Sequence, residues 1–345
     1  MTNQYTSQES RTLLARQIAE ESAVLLKNEN HCLPFKGGTA AFFGRTCLEP
    51  VIGGSGSGAS SVSGELLTFP EACKREGITP VAELVAYYKA FLGTFEKTDA
   101  LEEFRKKVPD LVASGMIYEF FGRYQAQTGE PEIPSELIGQ AAEETDTAVY
   151  VLGRVTGGEE CDRRIADDYE LLESERMLLD AVCAAFPKVV IVLNVNGIID
   201  LSWIDSYQSI QAVLYVGTAG EQGTVAAARV LSGAVTPSGK LAFTFAKDYR
   251  DYPTAEDFSF NKDLPDSIKE YKDYGLDAAA NGSVGFEKSP VTVYREGIYT
   301  GYRYFDSFGK DVLFPFGYGL SYAGFELGKA AVTVENGRVR VSVPV

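Results

Sequence analysis

The chain has 345 residues, 45% of them apolar and 23% charged, values close to the globular average, which excludes wholesale disorder. No apolar run approaches the roughly 18 residues that span a bilayer. Acidic residues outnumber basic ones 48 to 32, and a net charge of −16 argues against nucleic acid or an anionic membrane as partner and for a neutral or cationic one.

The first predicted element is a helix. Thr6 and Glu9 fit a T-x-x-E capping box, and Leu14, Ile18 and Leu25 recur at near-helical spacing to about Lys27. Asn28-Glu29-Asn30 and Pro34 end it. The apolar run from Thr39 to Gly44 reads as a buried strand, and a glycine–serine stretch, Gly53 to Ser61, follows it. Residues from about Val81 to Phe121 are amphipathic and helix-rich, and Gln125 to Pro134 reads as a loop. A helix from Ser135 to about Glu144 leads into the strand Thr147–Gly153, and a polar loop into a helix near Glu173–Phe186. Lys188–Asn194 is a continuously apolar strand of the kind a parallel sheet covers on both faces. Gln211–Tyr215 is another strand, ahead of a helix around Gln222–Leu231. Past Phe325, Ala331–Val334 and Val339–Val343 alternate around Asn336-Gly337, a hairpin signal. Alternating strands and helices predict an α/β sandwich with a mainly parallel sheet, whose ligand edge lies beyond the carboxyl ends of the strands. The glycine–serine stretch and the loop after Gly153 both fall at that edge.

The residues available for chemistry are restricted. Zinc sites and Ser-His-Asp or Cys-His machinery need histidine, and the chain has one, His31. The five cysteines are scattered without a CxxC, and Met1 to Tyr5 does not open a secretory leader, so a cytoplasmic location is expected. Carboxylates remain as acid/base candidates. The loop after Gly153 holds Glu159, Glu160, Asp162, Arg163 and Arg164, a cluster in which neighbouring charges can hold one carboxyl protonated and fix others as ion pairs. A solvated charged loop is the plainer reading of the same residues. The glycine–serine stretch offers Ser55 and Ser57 to a sugar or phosphate, or is a surface turn; it matches no phosphate-loop or dinucleotide fingerprint. Glu221, in Gly217–Gly223, suits a helix N-terminus.

These segments resemble glycoside hydrolase family 3, the β-glucosidase family, over nearly the whole chain. Ala19–Asn28 with Leu33-Pro34 is similar to the opening of its α/β sandwich domain, and Gly53–Gly58 to its glycine–serine loop. Gly158-Glu159 with Asp162-Arg163 resembles its Gly-Glu-x-x-Asp-Arg loop. Asn194–Gly197 with Trp203, Pro237–Leu241, Tyr299–Phe305 and Phe314–Tyr322 follow in the family's order. The resemblance implies a retaining enzyme without cofactor or metal, in which Glu159 is the acid/base residue, with Glu160 as its neighbouring rival. It also implies that Ser57, or Ser55, faces the bound sugar and that Asp162 and Arg163 fix the loop. Tyr294, Tyr299, Tyr302, Tyr304 and Tyr318 either pack against sugar rings or fill the core. Nothing resembles the family's barrel or its nucleophile motif.

The expected organisation is therefore an N-terminal helix and linker over 1–35, the sandwich over 36–322, and the start of a truncated fibronectin-III-like domain over 323–345. The expected partners are a β-linked saccharide or aryl glycoside and a (β/α)8-type barrel domain of the same full-length protein, as in members with permuted domains. Two other functions remain at this level: a non-catalytic module that binds carbohydrate or protein, and a flavodoxin-like nucleotide binder, which the charge and the missing fingerprint disfavour.

Overall fold

The computed structural model describes residues 7–54, 58, 60, 62, 64–94, 106–110, 113, 128–155, 165–255, 275 and 294–345. Helix α1 runs from Gln8 to Ser22, and its cap is Ser7, whose side chain accepts from the Ser10 amide; Thr6 lies outside the described residues. The helix does not reach Lys27. Ala23-Val24-Leu25-Leu26 is an unbroken apolar run that a half-exposed helix would leave partly wet. It becomes strand β1, Val24–Asn28, in which Val24, Leu25 and Leu26 are fully buried.

β1 is one edge of a six-stranded sheet built with β2 (Gly38–Phe43), β3 (Ile78–Pro80), β4 (Thr147–Arg154), β5 (Lys188–Val195) and β6 (Ile210–Tyr215). The order is β1-β6-β5-β4-β2-β3; β1 pairs antiparallel with β6 and every other pair is parallel. β4 is buried along its whole length and β5 at all but its first residue, which explains why both read as continuous apolar runs rather than alternating ones. The outer edge of β1 is covered: Gly239 donates to the Ala23 carbonyl and Leu320 to that of Leu25, so two motif segments close the sheet rather than leave an open edge.

Two groups of helices flank the sheet. α1 and α2 (Phe69–Arg75) both pack on α6 (Gly223–Ser232), and α3 (Ala82–Leu92) and α5 (Glu173–Ala185) both contact α4 (Ser135–Glu144). The chain leaves β2 through α2 towards β3, outward on one side. It leaves β4 through α5 towards β5, in the opposite direction. Right-handed crossovers in opposite directions put the two groups on opposite faces, making three layers, and place the topological switch point between β2 and β4.

The C-terminal part adds β7 (Phe245–Ala246) paired with β8 (Val312–Phe314), a short helix α7 (Tyr302–Ser307), and a hairpin of β9 (Ala331–Glu335) and β10 (Arg338–Ser342). The hairpin turns at Asn336-Gly337, both at positive φ, as expected from sequence. Its register puts Val334 opposite Val339 and Val332 opposite Val341, one apolar face that is exposed.

At the end of β2, Gly44 has φ +87°, and a Cβ there would run into the Val151 carbonyl of β4. Gly44→Ala is expected to cost at least about 3 kcal/mol, read as a loss of stability in urea titration of the chain.

Candidate active site

The two loops flagged in the sequence leave the sheet on either side of the switch point, from the carboxyl ends of β2 and β4. The candidates carried by those loops, Ser55, Ser57, Glu159, Glu160, Asp162 and Arg163, lie outside the described residues. Their anchorages are described: Asn194, which opens one of the motif segments, on the β2 side, and Arg154 with Glu175, which no motif singled out, on the β4 side.

The glycine–serine loop is rooted by Asn194, from the end of β5. Its side chain is buried, accepts from the Val51 amide at 2.7 Å, and donates to the carbonyls of Val51 at 2.9 Å and Gly217 at 2.7 Å. One amide thus ties the loop after β2 to the loop after β6. Gly220 adds a bond to the Ile52 carbonyl at 3.1 Å. Thr46 donates to the Val151 carbonyl at 2.7 Å and fixes the turn after β2 against β4. Glu221 lies in the single turn Gly220–Gln222 that leads into α6, near the helix start its sequence suggested.

The loop after β4 is rooted by Arg154, the last residue of the strand, with no exposed surface. Its guanidinium meets the Glu175 carboxylate through two bonds of 2.6 Å each. It also donates to the carbonyls of Gly153 at 2.9 Å, Asp168 at 2.8 Å and Glu170 at 3.2 Å. Glu175 accepts as well from the Leu172 amide at 2.9 Å and so caps α5. Burial pulls the Arg154 pKa down, but the charge and hydrogen bonds of Glu175 outweigh it and the net direction is upward.

A second carboxyl, Glu130, lies close to this pair. The Arg45 amide donates to both its oxygens, at 2.9 and 2.7 Å. Burial pushes its pKa up to about 7, with the Glu175 charge adding to the rise and the Arg45 amide opposing it. None of Arg154, Glu175 or Glu130 belongs to a short motif. The one sequence signal is an arginine ending a strand that is otherwise apolar.

The tyrosines split between the two alternatives. Tyr294, Tyr299 and Tyr302 are exposed, Tyr304 is half-buried, and Tyr318 packs against the core. Tyr302 stacks on Phe316 with centroids 4.6 Å apart, and the Arg303 guanidinium stands 5.9 Å over its ring. A chain of aromatic contacts runs from Tyr169 through Tyr249, Tyr252 and Phe305 to Tyr304, linking this surface to the return stem of the β4 loop.

Residues 23–322 match the glycosyl hydrolase family 3 C-terminal domain. The chain belongs to glycosyl hydrolase family 3. Among family members it is 35% identical over 333 residues to a β-glucosidase of Ruminococcus albus, covering 94% of this chain and 30% of that protein. It is 30% identical over 353 residues to β-glucosidase A of Butyrivibrio fibrisolvens, covering 93% of this chain and 36% of that one. β-Glucosidase 3B of Thermotoga neapolitana, solved with glucose, superposes with a TM-score of 0.73 at 28% identity over 97% of this chain and 41% of its own. The chain thus spans about a third of the length of the two relatives and shares the α/β fold of the family's C-terminal domain.

Glu130 makes the stability of this family 3 domain depend on pH. An acid whose pKa is raised by folding holds its proton more tightly folded than unfolded. Its stabilising contribution is therefore complete below about pH 4.5 and is lost as the pH rises through 7. Glu130→Gln is expected to match the wild type near pH 4 and to exceed it by about 3 kcal/mol at pH 8, measured by urea unfolding at both values. An equal difference at the two pH values would contradict the raised pKa.

Proposed function

We propose that this chain supplies the general acid/base half of a retaining β-glycosidase, with Glu159 in that role and the Asp nucleophile on a barrel domain outside the chain. The observation that carries the reading is positional. The Gly-Glu-x-x-Asp-Arg segment follows β4 in sequence, and the carboxyl end of β4 lies at the switch point beside β2, where a sheet of this type takes its ligand. Ser57, or Ser55, would then contact the sugar from the β2 side, and Asp162 and Arg163 would hold the loop in place.

Retaining hydrolysis needs two carboxyls about 5–5.5 Å apart, one to attack the anomeric carbon and one to protonate the leaving oxygen. Glu159 donates that proton and then takes one from the incoming water, which restores it. The substrate is a terminal β-linked sugar, consistent with the β-glucosidases it resembles. An exo-α-(1→6)-L-arabinopyranosidase of Bifidobacterium longum is also 29% identical over 325 residues, so family membership leaves the sugar open. The valine face of the β9–β10 hairpin supports reading residues 323–345 as strands of a fibronectin-III-like unit, since a two-stranded ribbon is not stable alone. Cys32, Cys47, Cys73 and Cys183 are free thiols, which supports a reducing, cytoplasmic setting.

Alone, the 345-residue chain is expected to leave an aryl β-glucoside unhydrolysed, because it holds one carboxylate of the pair. With the nucleophile-bearing domain present, Glu159→Gln is expected to lose at least about 100-fold in kcat on alkyl glucosides. It should lose far less on a dinitrophenyl glucoside, whose leaving group needs no proton, and azide should restore part of the rate. Full activity of Glu159→Gln would overturn the assignment, and the same losses in Glu160→Gln alone would transfer the role to that residue. Sugar binding by the chain with no turnover in the assembled protein would favour the non-catalytic module.

A further inference from the structure

Arg154 is linked to more of the β4 loop than a strand-terminal residue needs to be. A guanidinium has five N–H donors in a rigid fork and no acceptor. Here five bonds leave it: Nε to Asp168, Nη1 to Gly153 and Glu175 Oε1, and Nη2 to Glu170 and Glu175 Oε2. The acceptors come from three places. Gly153 is on the strand that sends the loop out. Asp168 and Glu170 are on the stem that brings it back, just past a turn at Asp167 with φ +63°. Glu175 is in the first turn of α5 and also caps that helix. The departing stem, the returning stem and the next helix therefore converge on one buried cation.

The return stem is held a second way. The Glu170 amide donates to the Ile165 carbonyl at 2.9 Å, and the Asp200 amide to that of Tyr169 at 2.8 Å. These bonds fix the stem to itself and to the loop after β5. Neither ties it to β4, whereas the guanidinium does.

We infer that Arg154, locked by Glu175, is the positioning residue of the proposed acid/base loop: it sets where the span between residues 155 and 165, whose sequence includes Glu159, leaves β4 and where it returns ahead of α5. The assignment of Glu159 belongs to the reading proposed above; the joining of the two stems does not depend on it. A lysine at 154 keeps the charge but offers three donors from a single nitrogen, which cannot meet a carboxylate and three carbonyls in fork geometry.

The test is hydrogen exchange on the 345-residue chain, with the amides of Glu170 and Asp200 reporting the return stem and those of Val189–Leu193 in β5 reporting global opening. Arg154→Lys is expected to speed exchange at the two stem amides by at least about tenfold, the scale set by losing charge-assisted hydrogen bonds, with β5 unchanged. A lysine that pairs poorly with the buried Glu175 can destabilise the whole domain, so the double variant Arg154→Leu, Glu175→Leu serves as the second arm. It leaves no unpaired charge and should melt close to the wild type while showing the same fast stem exchange. Unchanged stem exchange, or a rise at the stem that β5 shares, would overturn the inference.

A kinetic arm in the assembled enzyme separates this from the acid/base assignment. Arg154→Lys should lose at least about tenfold in kcat on an alkyl glucoside and less than about twofold on a dinitrophenyl glucoside, following Glu159→Gln. If Glu159→Gln lacks that contrast, the acid/base assignment fails while the exchange result still decides whether the stems are joined. If Glu159→Gln shows it and Arg154→Lys loses equally on both substrates, the positioning role fails.

Discussion

A guanidinium sealed from water must satisfy every N–H group inside the protein, and that requirement organises the carboxyl edge of this sheet. Moving an ion pair from water into the interior costs several kcal/mol per charge, which only near-ideal geometry offsets. Arg154 and Glu175 meet it with two short bonds and with backbone partners for the remaining donors. An isosteric pair of apolar side chains would fill the same volume and avoid the desolvation. What it would lack is direction: carbonyls from two stems have no reason to converge on a methyl group. The ion pair is thus better explained by the geometry it imposes than by the stability it adds.

The sheet places that geometry where it matters. Winding outward from β2 and in the opposite direction from β4 opens a crevice between the two strands, and the loops on either side of it are rooted by polar side chains at strand ends, Asn194 of β5 and Arg154 of β4. Asn194 serves the β2 side as Arg154 serves the β4 side, each at the end of its own strand. Buried polar networks that are fully bonded rigidify what they touch, and here two of them hold the bases of two loops against one rigid sheet.

How much of this was legible in the sequence follows from what each signal reports. Apolar runs such as Lys188–Asn194 and the Asn336-Gly337 turn depend on local chemistry; the strand is there, one residue longer at Val195, and the hairpin turns where it was expected. The N-terminal helix was overrun because Leu25 continues its spacing; spacing does not reveal that an edge position beside β6 was available to Val24–Asn28, and tertiary pairing decided it. The loop after β4 was legible as a pattern of charges and as a family motif. Its anchors were not. Arg154, Glu175 and Glu130 are separated by 21 and 45 residues, counting from 154 to 175 and from 130 to 175, and only the fold brings them together.

Two neighbouring carboxyls, Glu175 and Glu130, are held in different surroundings. The charge of Glu175 is answered by a guanidinium in two bonds. Glu130, beside it, has one backbone amide shared between its oxygens, and burial drives it towards the protonated form near neutrality. A carboxyl that is desolvated without a cation of its own shifts towards its neutral form. A retaining glycosidase needs the same division between its proton donor and its nucleophile. In a chain with a single histidine, the placement of arginine among carboxylates is the means available for making it.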